Sequence, residues 1–261
     1  MDDLLLLYRI GPEGFYAVGE GEGGLRILYS DPFETRPGGW EYGRSLGNAS
    51  LGLLPPVLPG KLVGIGRNFR EHARELDSPP PEEPILFLKA PSSVIGPRAP
   101  IVLPPESERV EYEGEIAVVL RDRLRRADAR EARAAILGVT CACDVTARDL
   151  QRHDPTFARA KSFDTFCPLG PAIWVDPDLD ELEIVTRLNG EERQRGRTSE
   201  MSWGVVELLV YASRMMTLEP GDVVLTGTPA GVGPLQDGDR LEVEIEGVGV
   251  LENPVEGWRR K

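Results

Sequence analysis

A β-rich α+β fold follows from three features of this 261-residue chain. Segments of strand character greatly outnumber helical ones and do not alternate with them regularly, which argues against a Rossmann or (β/α)8 layout. Turns rich in glycine and proline punctuate the strands. Asn189-Gly190, inside "VTRLNGEERQ", is the strongest short hairpin signal in the chain.

Residues 1–56 are expected to form a small N-terminal β domain, because "LLLLYRI", "FYAVGE" and "LRILYS" read as short strands between glycine-rich turns. The proline-rich joint "LLPPVLPGK" at 53–61 then opens a second unit, residues 57–261. "LVGIG" reads as a short buried strand, and "NFREHARELD" as a short charged helix beginning at Asn68. "SPPPEEP" at 78–84 suits neither a helix nor a central strand, so it is a loop feeding the strand "ILFLK". A helix polar on most sides and tethered by loops is a candidate lid.

Further along, "EYEGEIAVVL" at 111–120 reads as a strand, "REARAAILG" has a helical pattern, and "VTCACDV" is β-branched and small. Residues 199–216 suggest a helix with Ser199 as N-cap and Val205, Leu208, Leu209 and Met216 on its apolar side. The chain closes with "EPGDVVLTGTPAGVG", read as turn, strand and glycine-rich loop, and with "DGDRLEVEIEGVGVLENPV", read as a strand pair.

Forty-three acidic residues against thirty basic ones give a formal net charge of -13, which argues against nucleic acid and anionic membranes as partners. No stretch approaches the roughly 18 to 20 apolar residues a spanning helix requires. The "LLLL" run at 4–7 is too short and too acidic at its start for a signal peptide, so a cytoplasmic location is expected. Cys141, Cys143 and Cys167 lack zinc-finger spacing and read as small buried hydrophobes. With only two histidines, His72 and His153, a bound metal would have oxygen ligands, which favours magnesium or manganese.

The strand at 111–120 raises the first chemical question. Side chains two apart on a strand share a face, so Glu111, Glu113 and Glu115 project together before the segment becomes apolar on both faces. A half-buried strand with one wet face explains this as well as a metal site does. Glu111, nearest the strand's start, is expected to be solvated. Asp144 alone reads as a cap or turn residue; beside Glu113 and Glu115 it would complete a three-carboxylate oxygen site. His72 and Glu75, three apart, become neighbours if "REHARE" is helical, and a carboxylate that orients imidazole suits a general base. A solvated charged helix is the simpler reading of that segment. Among the cations, Arg67, Lys89 and Lys161 stand out; Lys89 ends an otherwise apolar run and could point into a cleft to hold an anion or an enolate. The loop "TGTPAGVG" lacks the GK[ST] ending of a nucleotide loop and instead offers backbone amides and the Thr228 hydroxyl to a carboxylate.

From Lys61 to the C-terminus the chain resembles the fumarylacetoacetate hydrolase superfamily. The matching segments are "GKLVGIGRNFREHARE", "PILFLKAPSSVIGP", "VEYEGEIAVVL", "CDVTARDLQ", "KSFDTFCPLGP", "LNGEERQRGRTSEM" and "LEPGDVVLTGTPAGVG". The resemblance implies a mixed β-sandwich roll, usually homodimeric, that binds magnesium or manganese through Glu113, Glu115 and Asp144. It further implies that His72 and Glu75 activate water under a lid and that Lys161 stabilises enolate charge. Lys89, Gln194 and Thr228 match positions associated with substrate binding, and Arg67 is expected to join them. Phe69 departs from the family pattern, where many relatives carry tyrosine.

The implied substrate is a small 2-oxo acid or hydroxydienoate. The leading reading is a 2-hydroxyhepta-2,4-diene-1,7-dioate isomerase or 5-oxopent-3-ene-1,2,5-tricarboxylate decarboxylase of aromatic catabolism. Acylpyruvate hydrolysis and oxaloacetate decarboxylation are the alternatives, and a non-catalytic metal-binding β protein is the alternative of another class.

Overall fold

The computed structural model describes residues 4–20, 24–47, 52–75 and 81–259. Its architecture is a mixed β-sandwich with five short helices among the described residues: α1 (Arg70–Glu75), α2 (Ala129–Ala134), α3 (Arg148–Gln151), α4 (Ala158–Lys161) and α5 (Val205–Met215). The main sheet has eleven strands. From one edge inward these are Tyr42–Gly47, Gly24–Leu28, Phe15–Glu20, Leu6–Ile10, Cys167–Val175 and Ile136–Cys143. The order continues with Gly114–Leu120, Val223–Leu225, Leu62–Gly66 and Ile85–Lys89, while Val94–Ile95 pairs beside Cys167–Val175. A five-stranded sheet runs Glu191–Arg197, Glu183–Leu188, Arg240–Ile245, Gly249–Gly257, Ile101–Leu103. Thr146–Ala147, Val110–Tyr112 and Gly233–Pro234 form a small third sheet.

Gly114–Leu120 lies at the centre, with all seven residues buried. Alternation assigns its side chains to two cores. Ile116, Val118 and Leu120 pack with Ile184, Val243 and Leu251 of the five-stranded sheet and with Leu208 and Leu209 of α5. Ala117 and Val119 face the opposite core, with Leu169, Ile173, Val223 and Leu225. Each buried aliphatic side chain contributes roughly 1.5–3 kcal/mol, so this strand is firmly anchored. The strands before the proline joint extend the same sheet, through Leu6 opposite Trp174 and Leu7 opposite Ile173.

Asn189 and Gly190 form the expected hairpin turn, both with positive φ (56° and 82°). Three helix boundaries differ from the sequence reading. The helix expected from Asn68 begins at Arg70, and the one expected at 199–216 begins at Val205. One cause explains both. Asn68 is buried; its carbonyl accepts from Ser202 N (2.7 Å), its Oδ1 accepts from Trp203 N (3.0 Å), and its Nδ2 donates to Thr226 O (2.9 Å). This clamp holds both chain segments out of helical conformation. Ser199 therefore falls in a 3-10 turn, and the Glu207 carboxylate accepts from Gly204 N (2.8 Å) at the true start of α5.

The third difference is in "REARAAILG", where the helix stops at Ala134 and Ile136 onward is strand. An Asp128–Glu131 capping box starts α2, but Ile136 and Gly138 pair with Leu120 and Val119 and belong to the sheet. A side chain at Gly138 would meet Trp174 O at 2.0 Å, so this close strand approach requires glycine. Leu76, Asp77 and residues 78–80 of the expected helix end and loop lie outside the described residues. Cys141, Cys143 and Cys167 are free and buried, and burial pushes the Cys141 and Cys167 thiols up to about 12. Among the described residues no helix is long and apolar enough to cross a membrane.

Candidate active site

Strand register builds the carboxylate cluster. Gly114 pairs with Cys143 and Glu115 with Ala142, so the next step along both chains sets Glu113 beside Asp144, whose amide donates to Glu113 O (2.8 Å). Glu113, two residues before Glu115, projects on the same side. The result is a buried group in which one carboxylate oxygen from each of Glu113, Glu115 and Asp144 lies within 4.8 Å of the others. Three hard oxygen donors at that spacing could hold a divalent cation.

Cations surround the cluster. Lys161, at the end of α4, donates to Glu113 Oε2 (2.9 Å), to Thr146 Oγ1 (2.8 Å) and to Asp144 Oδ2, and its ammonium stands 4.8 Å from the centre of the Phe87 ring. Arg148 opens α3 and forks across two glutamates, through Nε to Glu111 Oε2 (2.6 Å) and through a terminal nitrogen to Glu113 Oε1. Glu111 is therefore not solvated, as its place at the strand's start suggested. It is buried and paired with Arg109 (2.6 Å) and Arg148, because Val110–Tyr112 pairs with Thr146–Ala147 and carries the start of α3 over it.

The charges do not balance equally at each carboxylate. Burial raises the Glu115 carboxyl well above its usual range, the negative charges of Asp144 and Glu113 raise it further, and its backbone partner Gly227 N (2.7 Å) does not compensate. Burial pushes Glu113 the same way, but Lys161, Arg148 and His72 outweigh it and hold that carboxyl below the usual range. Lys161 is disfavoured as a cation by burial, yet Asp144 and Glu113 more than restore it, so its pKa is raised. Glu115 is thus the carboxylate of the cluster whose negative charge its surroundings compensate least. A divalent cation would meet that demand.

The cluster opens on a cavity of about 230 Å³. Glu113, Glu115, Lys161, His72, Arg67 and Thr228 contribute to its wall. His72, buried on α1, has Nδ1 3.1 Å from Glu75 Oε2, as helical spacing predicts. Glu75 also accepts from Gly231 N (3.2 Å), which ties α1 to the loop of "TGTPAGVG". Phe69 packs against the chain at Gly196, where a side chain would meet its ring at 3.0 Å and Pro229 at 2.8 Å.

Two expected substrate contacts stand behind the cavity wall. Lys89 is enclosed, and its ammonium donates to Asp144 Oδ1 (2.6 Å) and to the Lys161 carbonyl, so it does not point into the cleft. Its position at the strand's end places it behind the carboxylate instead. Gln194 is also buried; Oε1 accepts from Gly114 N (3.0 Å), and Nε2 donates to Thr228 Oγ1 (2.7 Å) and Pro229 O (2.7 Å). Thr228 in turn donates to Gly114 O (2.8 Å), so Gln194 fixes the hydroxyl's orientation. Sequence reasoning missed Arg148 and Gln151, which also line the cavity. The available signal was a cation opening a helix four residues after Asp144.

A family profile described as fumarylacetoacetate (FAA) hydrolase C-terminal matches residues 61–256. The chain is similar to the crystal structure of 5-carboxymethyl-2-hydroxymuconate delta-isomerase from Mycobacterium smegmatis, with TM-score 0.89 and 42% identity over 97% of this chain and 100% of that one. It is similar to 2-hydroxyhepta-2,4-diene-1,7-dioate isomerase from Mycobacterium marinum, with TM-score 0.89 and 39% identity over 99% of this chain and 100% of that one. Oxaloacetate tautomerase FAHD2A, mitochondrial, of Bos taurus is 43% identical over 215 residues, 78% of this chain and 68% of that protein.

Proposed function

The chain belongs to the fumarylacetoacetate hydrolase family, and on that premise we propose that it is a divalent-metal enzyme of 2-oxo acids or their enols. The leading reaction is isomerisation of a 2-hydroxyhepta-2,4-diene-1,7-dioate type of substrate, with decarboxylation of the 5-oxopent-3-ene-1,2,5-tricarboxylate type beside it, as steps of aromatic-compound breakdown. The reading also carries a cytoplasmic homodimer. One observation supports it above the rest: Glu113 and Glu115 of a buried three-carboxylate cluster line a small cavity together with Lys161.

Magnesium or manganese bound there would supply a Lewis acid for the substrate's 2-oxo oxygen and adjacent carboxylate. The chain's own groups do the rest. Lys161, whose three N–H donors are held by Glu113, Asp144 and Thr146, sets its positive charge beside the oxygen that gains negative charge, an attraction that strengthens as the charge develops and so lowers the barrier. Thr228, held by Gln194, and Arg67 orient the substrate. His72, with Nδ1 turned to Glu75, keeps Nε2 for proton exchange. In isomerisation a proton leaves the enol oxygen and another reaches carbon, with no net change in mass.

The His72–Glu75 contact favours a second reading, hydrolysis of an acylpyruvate, because an imidazole oriented by carboxylate is what water activation requires. Oxaloacetate, the substrate in the bovine relative's name, calls for the same enol and keto forms and is tested beside it, both for tautomerisation and for decarboxylation. Mass spectrometry of products from hydroxydienoate, oxo-tricarboxylate, acylpyruvate and oxaloacetate with magnesium, with the change in enol absorbance followed in parallel to detect isomerisation and tautomerisation, separates these reactions. A product of unchanged mass, or one lighter by carbon dioxide, is expected. Cleavage with addition of water would replace the leading reading with hydrolysis, and no turnover at all would favour a non-catalytic metal-binding protein.

A further inference from the structure

Two guanidinium side chains on the cavity wall, Arg67 and Arg152, have no hydrogen-bond or ion-pair partner among the described residues. The polar groups next to Arg152 in sequence bond to other partners. Asp149 accepts from Ser107 Oγ (2.6 Å) and Glu108 N (2.9 Å). Asp154 accepts from Thr156 Oγ1 (3.1 Å), Arg159 N (2.7 Å) and Ala160 N (3.2 Å). Gln151 is held by Arg148, which is itself committed to Glu111 and Glu113. Arg67 follows the strand Leu62–Gly66 with a left-handed backbone (φ 55°), a conformation that costs a non-glycine residue energy.

The same wall also carries an apolar flank. Phe87 lies under the Lys161 ammonium, and Phe157 meets Phe87 edge to face with ring centres 6.0 Å apart. Phe157 and Arg152 are carried by the same turn between α3 and α4. The cavity therefore has an acidic cluster suited to a metal and a 2-oxo acid, an apolar flank, and guanidinium groups left without a partner. An exposed arginine is ordinarily just solvated. Here the chain carries a net charge of -13, whose overall field repels a dianion, so unpaired guanidinium groups on a concave wall are its local source of attraction.

We propose that Arg152, together with Arg67, binds the distal carboxylate of a 2-oxo dicarboxylate and sets a preference for dicarboxylates over monocarboxylates of equal chain length. This rests on the function proposed above, which assigns the 2-oxo acid end to the carboxylate cluster. A guanidinium–carboxylate contact is charge-assisted and directional, so one such contact separates the two ligand classes by about tenfold or more.

Titration calorimetry of the magnesium-loaded protein with 2-oxoadipate and with 2-oxohexanoate tests this, since the two acids differ in the terminal carboxylate. The wild type is expected to bind 2-oxoadipate at least about tenfold more tightly. Arg152→Gln should bring the ratio to within about twofold, Arg67→Gln should reduce it, and Arg152→Lys should restore part of it. A wild type without preference, a wild type that binds neither acid, or an Arg152→Gln protein that weakens both acids equally would overturn the proposal. Its failure is distinguishable from failure of the proposed reaction: discrimination between the acids with no turnover of any enol or oxo acid removes the reaction and leaves the site.

Discussion

Lys89 and Lys161 divide one task between them. Both ammonium groups reach Asp144, one from behind the cluster and one from the cavity side. Removing a partner from a buried ion pair leaves an uncompensated charge, which typically costs about 3–5 kcal/mol. Lys89→Met is therefore expected to lower the chelated protein's unfolding free energy by about that amount, measurable by chemical denaturation. A loss below about 1 kcal/mol would contradict a buried counter-charge role. Glu115 predicts the opposite response. Its folded-state carboxyl is raised, so the folded protein holds that proton more tightly than the unfolded chain, and its contribution to stability falls as pH rises above the ordinary value of 4.5. Glu115→Gln should raise the Tm of chelated protein, with a larger gain at pH 8 than at pH 5. A gain independent of pH would mean that the charge is not the cause. The same-face pair Glu113 and Glu115 was legible from strand alternation, whereas Asp144 read alone as a cap or turn residue and joined them through the family resemblance; the structure brings the three together. The environment of Glu111 was not, since its partner Arg148 arrives through a non-local strand pairing.

Among the elements, α1 ties the cavity to the glycine-rich loop. One face presents His72 to the cavity, while Glu75 joins that imidazole to the Gly231 amide, so the helix and the glycine-rich loop hold each other in place. Gly231 has φ 102°, and a side chain there would meet Arg193 O at 2.0 Å, which explains why the loop is built from glycine. His72→Ala is expected to impair acylpyruvate hydrolysis about a hundredfold, the usual contribution of a general base, and decarboxylation far less, because only hydrolysis consumes an activated water. Equal losses in kcat for both reactions would contradict a water-activating role. Strands and the Asn189-Gly190 hairpin were readable from local pattern. The starts of α1 and α5 were not, because Asn68 fixes both through hydrogen bonds to residues 202, 203 and 226, far away in sequence.

Across the whole molecule, the central strand Gly114–Leu120 connects stability to function. Its apolar residues lock it between two cores, and that anchoring aims Glu113 and Glu115 at the edge of the cavity. The β-rich class was legible from turn chemistry and strand number, whereas the order of eleven strands in one sheet was not, since it depends on pairings such as Leu6 with Trp174. Confining charge to one end of a well-packed strand concentrates several kcal/mol of unfavourable repulsion where a divalent cation can relieve it. Turnover of the hydroxydienoate substrate, followed with and without magnesium in the wild type and in Glu113→Ala, tests this most directly. Activity that requires magnesium and disappears in Glu113→Ala is the predicted result; activity in Glu113→Ala equal to that of the wild type would contradict the assignment of the carboxylate cluster as the metal site.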